Sequence, residues 1–358
     1  MSSFFKSYRK ESFFLVGNFS LLLIPLICHS FNFPEREFAY KSLSPQLGPT
    51  QVIHREIFKE KEVVDILVLG SSLMMCAIDP VLLSETISPK DTKPLNILNL
   101  STNWRSEDIN FVILNDLVKR RRVKTLIWSP ISPYFTSNTG PHEFGFQFWD
   151  HGENFEITRS LPTKYQLNYY TGSILNFPRL IYLSLNRGDK RSKPFFDIPE
   201  KYNFGPKGSL HQKQNYFYEP WKNIDKKIPS FDIQSCIYSS KSHGNFQFSE
   251  KKVSDFQRIM ISKLGDICAE NEISTICLSL PNFKNYLRQN VLLHENWSKI
   301  LNADNVMVGI NPTKLYKDLT EEEIQMFYYD NAHMNLNGQR YYTKAIAPVI
   351  KFLHERNL

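Results

Sequence analysis

Two short runs in the 358-residue chain bring together residue types capable of covalent chemistry. Gly70-Ser71-Ser72-Leu73 follows an apolar, β-branched run, which puts serine hydroxyls between the end of an expected strand and the start of a helix. A hydroxyl there is exposed at a turn, and nearby backbone amides with the helix N-terminus can stabilise an oxyanion. Near the other end of the chain, Asp330-Asn331-Ala332-His333 sets a carboxylate three residues before an imidazole. Folded back over one turn, that carboxylate can bond one ring nitrogen while the other faces a serine. Each run has a plain structural alternative: the first is also a strand-to-helix turn with a hydroxyl cap, the second a polar loop capping the last helix. Together they supply the three groups of a Ser-His-Asp relay, in an order along the chain that lets them meet at one sheet edge.

The elements that must position these groups alternate. Residues 63–69 (VVDILVL) suit a buried parallel strand that ends at Gly70. Asp79-Pro80 is an N-cap followed by a first-turn proline and predicts a helix through about Thr86. Further strands are expected at 95–100, 123–128, 274–280 and 306–310. Helices are expected at 106–120, 251–271, 286–301 and 335–356. Strands separated by helices of this length imply βαβ units and right-handed crossovers. The expected fold is α/β, a three-layer α/β/α sandwich around a central parallel sheet.

Composition narrows the class. With 42% hydrophobic, 14% aromatic and 22% charged residues, the chain is neither disordered nor collagenous, and it is long enough to bury a sizeable core. The formal charge of +7, from 43 Lys and Arg against 36 Asp and Glu, is diffuse and favours an anionic surface. Cys28, Cys76, Cys236, Cys268 and Cys277 form no CxxC pair and no even framework, so neither a zinc site nor a disulfide scaffold is supported. GxGxxG, P-loop and HExxH motifs are absent, and Gly205-Pro206-Lys207-Gly208 fits GxxG without the context of a KH domain. His142 and His151 around Asp150 make only a slight case for a metal. No cofactor, metal or nucleic-acid partner is expected.

Location is read from the first residues. Residues 12–31 (SFFLVGNFSLLLIPLICHSF) carry no formal charge, and at about 1.5 Å per residue they suffice to cross a hydrocarbon core of about 30 Å. Lys6, Arg9 and Lys10 precede them, which places a 1–11 tail in the cytoplasm and the rest outside. The alternative is a cleaved signal peptide, but no small-x-small site follows the apolar run. The expectation is a single-pass anchor in the cell membrane, a turn-rich stalk at 32–60, and a folded part at 61–358 on the periplasmic or extracellular side. Residues 135–250 interrupt the alternation with aromatic, Asn and Gly residues and read as an insertion with its own helices over one face of the sheet. The basic run Arg187, Lys190, Arg191 and Lys193 within it reads as solvated surface.

The serine turn, the DxxH run and Gly338 after it resemble the SGNH (GDSL-like) hydrolase superfamily, over about 61–130 and 251–355. The resemblance implies a flavodoxin-like sheet, Ser72 as nucleophile with Ser71 in place of the family's Asp, His333 as base and Asp330 as its partner. A Gly-Ser-Ser turn behind an N-terminal anchor is similar to the DltD-type and alginate-acetylation branches, which act on cell-envelope polymers. That implies an acyl ester of an envelope polysaccharide or lipid as substrate, and a membrane acyltransferase as a candidate partner. The chain departs from the family at two places. The second block falls on Asn99-Leu100-Ser101-Thr102-Asn103-Trp104, with Trp104 where the family has an oxyanion-hole glycine. The third falls on Ser129-Pro130-Ile131-Ser132-Pro133 and supplies no Asn. Ser72, Asn103 and Trp104 are the candidate oxyanion donors, with Asn138 as a substitute. The expected function is a serine esterase or O-acyltransferase; the alternative is a non-catalytic envelope protein of the same fold that binds a glycan or an assembly partner.

Overall fold

Apolar runs that fill a strand on both faces pair side by side when helices can cover those faces. The computed structural model describes residues 17, 36–41, 43, 48–89, 92–103, 107–129, 148, 159, 161–167, 202–205, 208–210, 226–238, 246–249, 254–287, 291–294, 306–328 and 330–356. Their strands in chain order are β1 (Val64–Leu69), β2 (Ile97–Asn99), β3 (Val123–Trp128), β4 (Tyr202–Gly205), β5 (Gly208–Leu210), β6 (Phe246–Ser249), β7 (Ser274–Ser279), β8 (Val291–His294) and β9 (Val306–Gly309). The helices are α1 (Arg36–Lys41), α2 (Thr50–Phe58), α3 (Ser72–Ala77), α4 (Pro80–Ile87), α5 (Glu107–Val118), α6 (Asp255–Glu270), α7 (Pro312–Leu315), α8 (Glu321–Gln325) and α9 (Leu336–Arg356).

Five strands form one parallel sheet in the order β2-β1-β3-β7-β9. This is a doubly wound order, in which the chain goes from β1 outward to β2 and then returns past β1 to β3. Connections leave β1 and β3 in opposite directions, so a crevice opens beyond their carboxyl ends. Leu69 is in register with Trp128 and Val68 with Asn99, which brings the ends of three strands level.

The sheet is covered on both sides. Ile66, Val68, Ile127, Ile276 and Leu278 share a core cluster with Met74, Leu83, Tyr342, Ile346 and Ile350 of α3, α4 and α9. Leu67, Leu69, Leu126 and Trp128 point the other way by the period of two and are equally buried. On that side the Trp128 indole donates to Glu107 of α5 at 3.0 Å, and α5 packs against α2 and α6. The result is the α/β arrangement of helix, sheet and helix layers.

Local signals account for most boundaries. Asp79 caps α4 by accepting from the amides of Val81 and Leu82, with Pro80 in the first turn. Ser254 caps α6 through the amide of Gln257. The chain divides into two compact units, residues 1–43 with 141–192 and residues 44–140 with 193–358. In the first, the α1 residue Tyr40 packs its ring 4.8 Å from that of Phe148, whose carbonyl accepts from Arg36. The second holds the sheet.

Three expectations change. Residues 286–301 were expected as a helix, yet residues 291–294 form β8 and pair in parallel with β6. A short apolar run such as Val291-Leu292-Leu293 has no period of its own, and a pairing partner decides its state. Residues 50–58, expected within a stalk, form α2 with Ile53 and Ile57 buried. Residues 226–238, expected within the insertion, include Cys236 in the core and Tyr238, which donates its amide to Met307 of β9 at 2.8 Å. The expected anchor at 12–31 lies outside the described residues except for Gly17; among the described residues no helix is long and apolar enough to cross a membrane.

His354, in the last turn of α9, makes the fold sensitive to acid. It is buried, its Nδ1 lies 3.0 Å from Thr125 Oγ1, and its Nε2 has no partner among the described residues. Burial pushes its pKa below the ordinary imidazole value, opposed by Asp65 and Glu355 and assisted by Lys124. The folded state therefore binds this proton less readily than the unfolded state. Stability is full above about pH 6.5, the unfolded value, and declines as pH falls below it. The urea midpoint is expected to drop between about pH 7.5 and about pH 5.5, and less steeply in His354→Asn. An equal slope in that variant would assign the acid sensitivity to other groups.

Candidate active site

Ser71 and Ser72 are neighbours with different tasks. Ser71 is the N-cap of α3, and its hydroxyl accepts from the Leu73 amide at 3.4 Å. Its carbonyl accepts from the amides of Met74 and Met75. Ser72 is the first helical residue, and its Oγ lies 2.8 Å from His333 Nε2. The hydroxyl cap of the Gly-Ser-Ser turn therefore falls on Ser71, and the contact with the imidazole falls on Ser72. Gly70 permits the turn, because a Cβ there would stand 2.8 Å from Met74 Cβ.

The loop that carries the imidazole is pinned at both ends. Tyr328 and Met334, both buried, bridge antiparallel across it, and the Tyr328 hydroxyl lies 2.7 Å from that of Tyr316. Asn335 fastens its exit: its side chain donates to Met326 O at 2.7 Å and accepts from the amides of Asn337 and Gly338, which open α9. Gly338 is required there, since a Cβ would stand 2.2 Å from Phe327 O.

Inside that loop Asp330 uses its two oxygens separately. Oδ1 accepts from the amides of Ala332 and His333 at 2.6 and 2.7 Å, and Oδ2 lies 2.7 Å from His333 Nδ1. Burial alone would push the Asp330 carboxyl up. The two amides and the imidazole outweigh it, and the carboxyl is held below its usual range. The chain of contacts runs from Ser72 Oγ through Nε2 and Nδ1 to Oδ2. The imidazole remains accessible, with the His333 side chain 21% exposed.

The structure thus brings Ser72, His333 and Asp330 together. Among the candidate oxyanion donors, Ser72 N is the first amide of α3, where helix geometry provides no acceptor. Asn103 is half-buried beyond the end of β2, next to Thr102, whose amide donates to Gly70 O at 3.0 Å. It therefore belongs to the same edge. Trp104 and Asn138, and residues 130–133 of the third block, lie outside the described residues, as do His142, Asp150 and His151. Among the described residues no group of three or more His, Cys, Asp or Glu could hold a metal ion.

Residues not singled out from the sequence fix the carbonyl end of α3. Gln339 Nε2 donates to Met75 O at 3.1 Å and to Ile78 O at 3.3 Å, and Thr343 Oγ1 donates to Ala77 O at 3.2 Å. Asn99 of β2 donates to Ile78 O at 3.0 Å. The available signal was the i, i+4 pair Gln339 and Thr343 beside Tyr342 and Ile346 on α9.

No family model, curated protein or solved structure matches the chain.

Ser71→Ala is expected to cost about 0.5–1 kcal/mol by removal of a cap, at the low end because the bond is long. Ser72→Ala is expected to leave the unfolding midpoint nearly unchanged. Gln339→Leu strands the buried carbonyl of Met75 and leaves Ile78 O to Asn99 alone, and it is expected to cost about 1–3 kcal/mol. Denaturant titration of the three variants checks the order; a Ser72→Ala loss as large as that of Gln339→Leu would make Ser72 a structural hydroxyl.

Proposed function

We propose that the protein is a serine-dependent acyl-transfer enzyme of the SGNH (GDSL-like) type, anchored in the cell membrane by residues 12–31. It acts as an esterase or O-acyltransferase on acyl esters of envelope glycans or lipids. One observation carries the reading: Oγ of Ser72, both ring nitrogens of His333 and Oδ2 of Asp330 lie in sequence at 2.8 and 2.7 Å, at the carboxyl edge of a doubly wound sheet. Gly338, five residues after His333, supports the same reading through its close approach to Phe327 O.

In the first half-reaction His333 Nε2 takes the proton of Ser72 as Oγ bonds to the ester carbonyl carbon. Asp330 keeps the other ring proton on Nδ1 and stabilises the imidazolium. The oxyanion is met by Ser72 N together with a donor from the Asn103-Trp104 segment. Collapse of the tetrahedral adduct breaks the bond to the leaving alkoxide, which takes the proton from Nε2. The acyl group is now an ester of Ser72. Water or a sugar hydroxyl then gives its proton to Nε2 and attacks the acyl carbon; the bond to Ser72 Oγ breaks, and Oγ takes the proton back from Nε2. Water makes the enzyme an esterase; a sugar hydroxyl makes it a transferase.

The alternative is a binding protein of the same fold. The absence of Asn from 129–133 and the place of Trp104 favour it, because both weaken the stabilisation of an oxyanion.

A fluorophosphonate probe separates the two. Labelling is expected at Ser72, lost in Ser72→Ala and retained in Ser71→Ala. Asp330→Asn keeps an oxygen for the two amides but turns an amide N–H toward Nδ1, which selects the wrong tautomer and should slow turnover by about 10³- to 10⁴-fold. Labelling of Ser72 no faster than that of a surface serine, at every pH, would favour the binding protein.

A further inference from the structure

The edge of the sheet opposite the serine turn carries Arg120, Arg121 and Arg122 in succession, where α5 passes into β3. Together with Val118, Val123 and Asn271 they line a pocket of about 330 Å³. The three arginines differ in what they already hold. Arg121 is internal, with a side chain 1% exposed, and it donates to Glu56 Oε2 at 2.8 Å, Glu56 O at 3.0 Å and Glu62 O at 2.6 Å. Its charge is matched by Glu56. Arg120 and Arg122 are exposed, and neither forms an ion pair with a carboxylate among the described residues. Arg120 lies instead over the ring of Phe58, 4.5 Å from its centroid.

The end of α5 does not account for these cations. Cations are favoured at a helix C-terminus because its carbonyls lack donors. Here Leu117 O already accepts from the amides of Arg120 and Arg121, at 3.0 and 2.9 Å. Asn271, across the pocket at the end of α6, uses one side-chain N–H on Ile267 O at 2.8 Å and keeps a second. Glu270 and Glu272 flank Asn271 in sequence but do not line the pocket. The site therefore offers two guanidinium groups without a carboxylate partner among the described residues, and a neutral donor, around a wall kept rigid by Arg121.

We propose that this pocket binds the phosphoryl group of a phosphate ester, with Arg120 and Arg122 as its charged donors and Asn271 as its neutral one. Guanidinium groups present paired donors that match two phosphate oxygens, and a dianion or diester between two of them gains charge-assisted bonds to both. A volume near 330 Å³ is at the small end of ligand pockets, about 300–1,000 Å³, and suits a phosphorylated headgroup or small molecule better than a polymer segment. The pocket is distant from the serine turn. Val123, which lines it, opens β3, and Trp128, beside Leu69, closes it; at about 3.3 Å per residue the strand separates the two by roughly 17 Å. Binding here is therefore independent of the function proposed for Ser72.

The test is calorimetric titration of the full chain, in a non-ionic detergent at low ionic strength, with inorganic phosphate, glycerol 3-phosphate and glycerophosphoglycerol. One saturable site is expected. A preference for the two monoester-like ligands identifies a soluble phosphate as the natural source, and a preference for the diester identifies a lipid headgroup. The double variant Arg120→Gln/Arg122→Gln should weaken binding at least about tenfold with an unchanged unfolding midpoint, since both side chains are exposed. If the double variant fails to fold, Arg122→Gln alone serves. Lys227→Gln, which removes an exposed charge outside the pocket, should bind as the parent does. Absence of saturable binding by all three ligands, parent-like affinity in the arginine variant, or an equal loss in Lys227→Gln would overturn the proposal.

Discussion

The position of Ser72 depends on how the carbonyl end of a six-residue helix is satisfied. A helix that short is not stable by itself, because nucleation costs more than a few hydrogen bonds return. α3 persists because its last carbonyls are taken by side chains from elsewhere: Gln339 on Met75 and Ile78, Thr343 on Ala77, and Asn99 on Ile78. Two of these donors belong to α9, the helix whose entry loop carries His333. One docking surface thus sets the positions of both Ser72 and His333. Burial of Tyr342, Ala345, Ile346 and Ile350 supplies the attraction, which is non-directional; the polar bonds supply the register. A slip of α9 along α3 would leave buried carbonyls unpaired, and that penalty holds Nε2 at 2.8 Å from Oγ.

The same logic operates inside the loop of Asp330. A carboxylate aimed at an imidazole must stay ionised and must not rotate. Desolvation works against ionisation, and the side chain is 45% exposed, so solvent offsets part of it. Oδ1, bound by the amides of Ala332 and His333, removes the rotation and adds to the preference for the charged form. Only then is Oδ2 directed at Nδ1. The spacing of three residues matters because it lets one side chain hold both the backbone and the ring of the same histidine. The antiparallel bridge of Tyr328 with Met334 closes the loop behind it.

Much of this was legible in the sequence, and the reasons for the rest are physical. β1, β3 and the start of α4 carry their signals within a few residues: a β-branched run, a second such run, and Asp79 before Pro80. Ser72, Asp330 and His333 could be singled out because their chemistry restricts them to turns at one edge. α3 was hidden because six residues leave too little length for a helical period, and its stability comes from α9. β8 was misread because Val291-Leu292-Leu293 fits either state until β6 pairs with it. Gln339 and Thr343 escaped notice because polar side chains four apart on a helix usually mark its wet face. Here that face is dry, and the carbonyls that make it polar belong to a segment about 260 residues away in the chain.

The two ends of the sheet solve different problems. In a parallel sheet the loops at the carboxyl edge diverge around the crevice between β1 and β3, so polar groups there can face a substrate without opening the core. Buried polar residues gather at that edge: Asn99, Ser101 and Thr102 beyond β2, and Glu107, which accepts from Trp128 and Asn110 at the start of α5. Glu107 and Trp128 tie the end of β3 to α5, and Ser129 next to them donates to Leu69 O beside Gly70. The serine turn is thereby braced from β2, β3 and α9. At the opposite edge the polar burial is the Arg121–Glu56 pair, which ties α2 to the start of β3. A buried pair of that kind adds little net energy against apolar packing, but losing either partner leaves a charge without compensation. It fixes α2 on the layer that holds α5, so the brace at the edge of the serine turn rests on a layer secured from the far side.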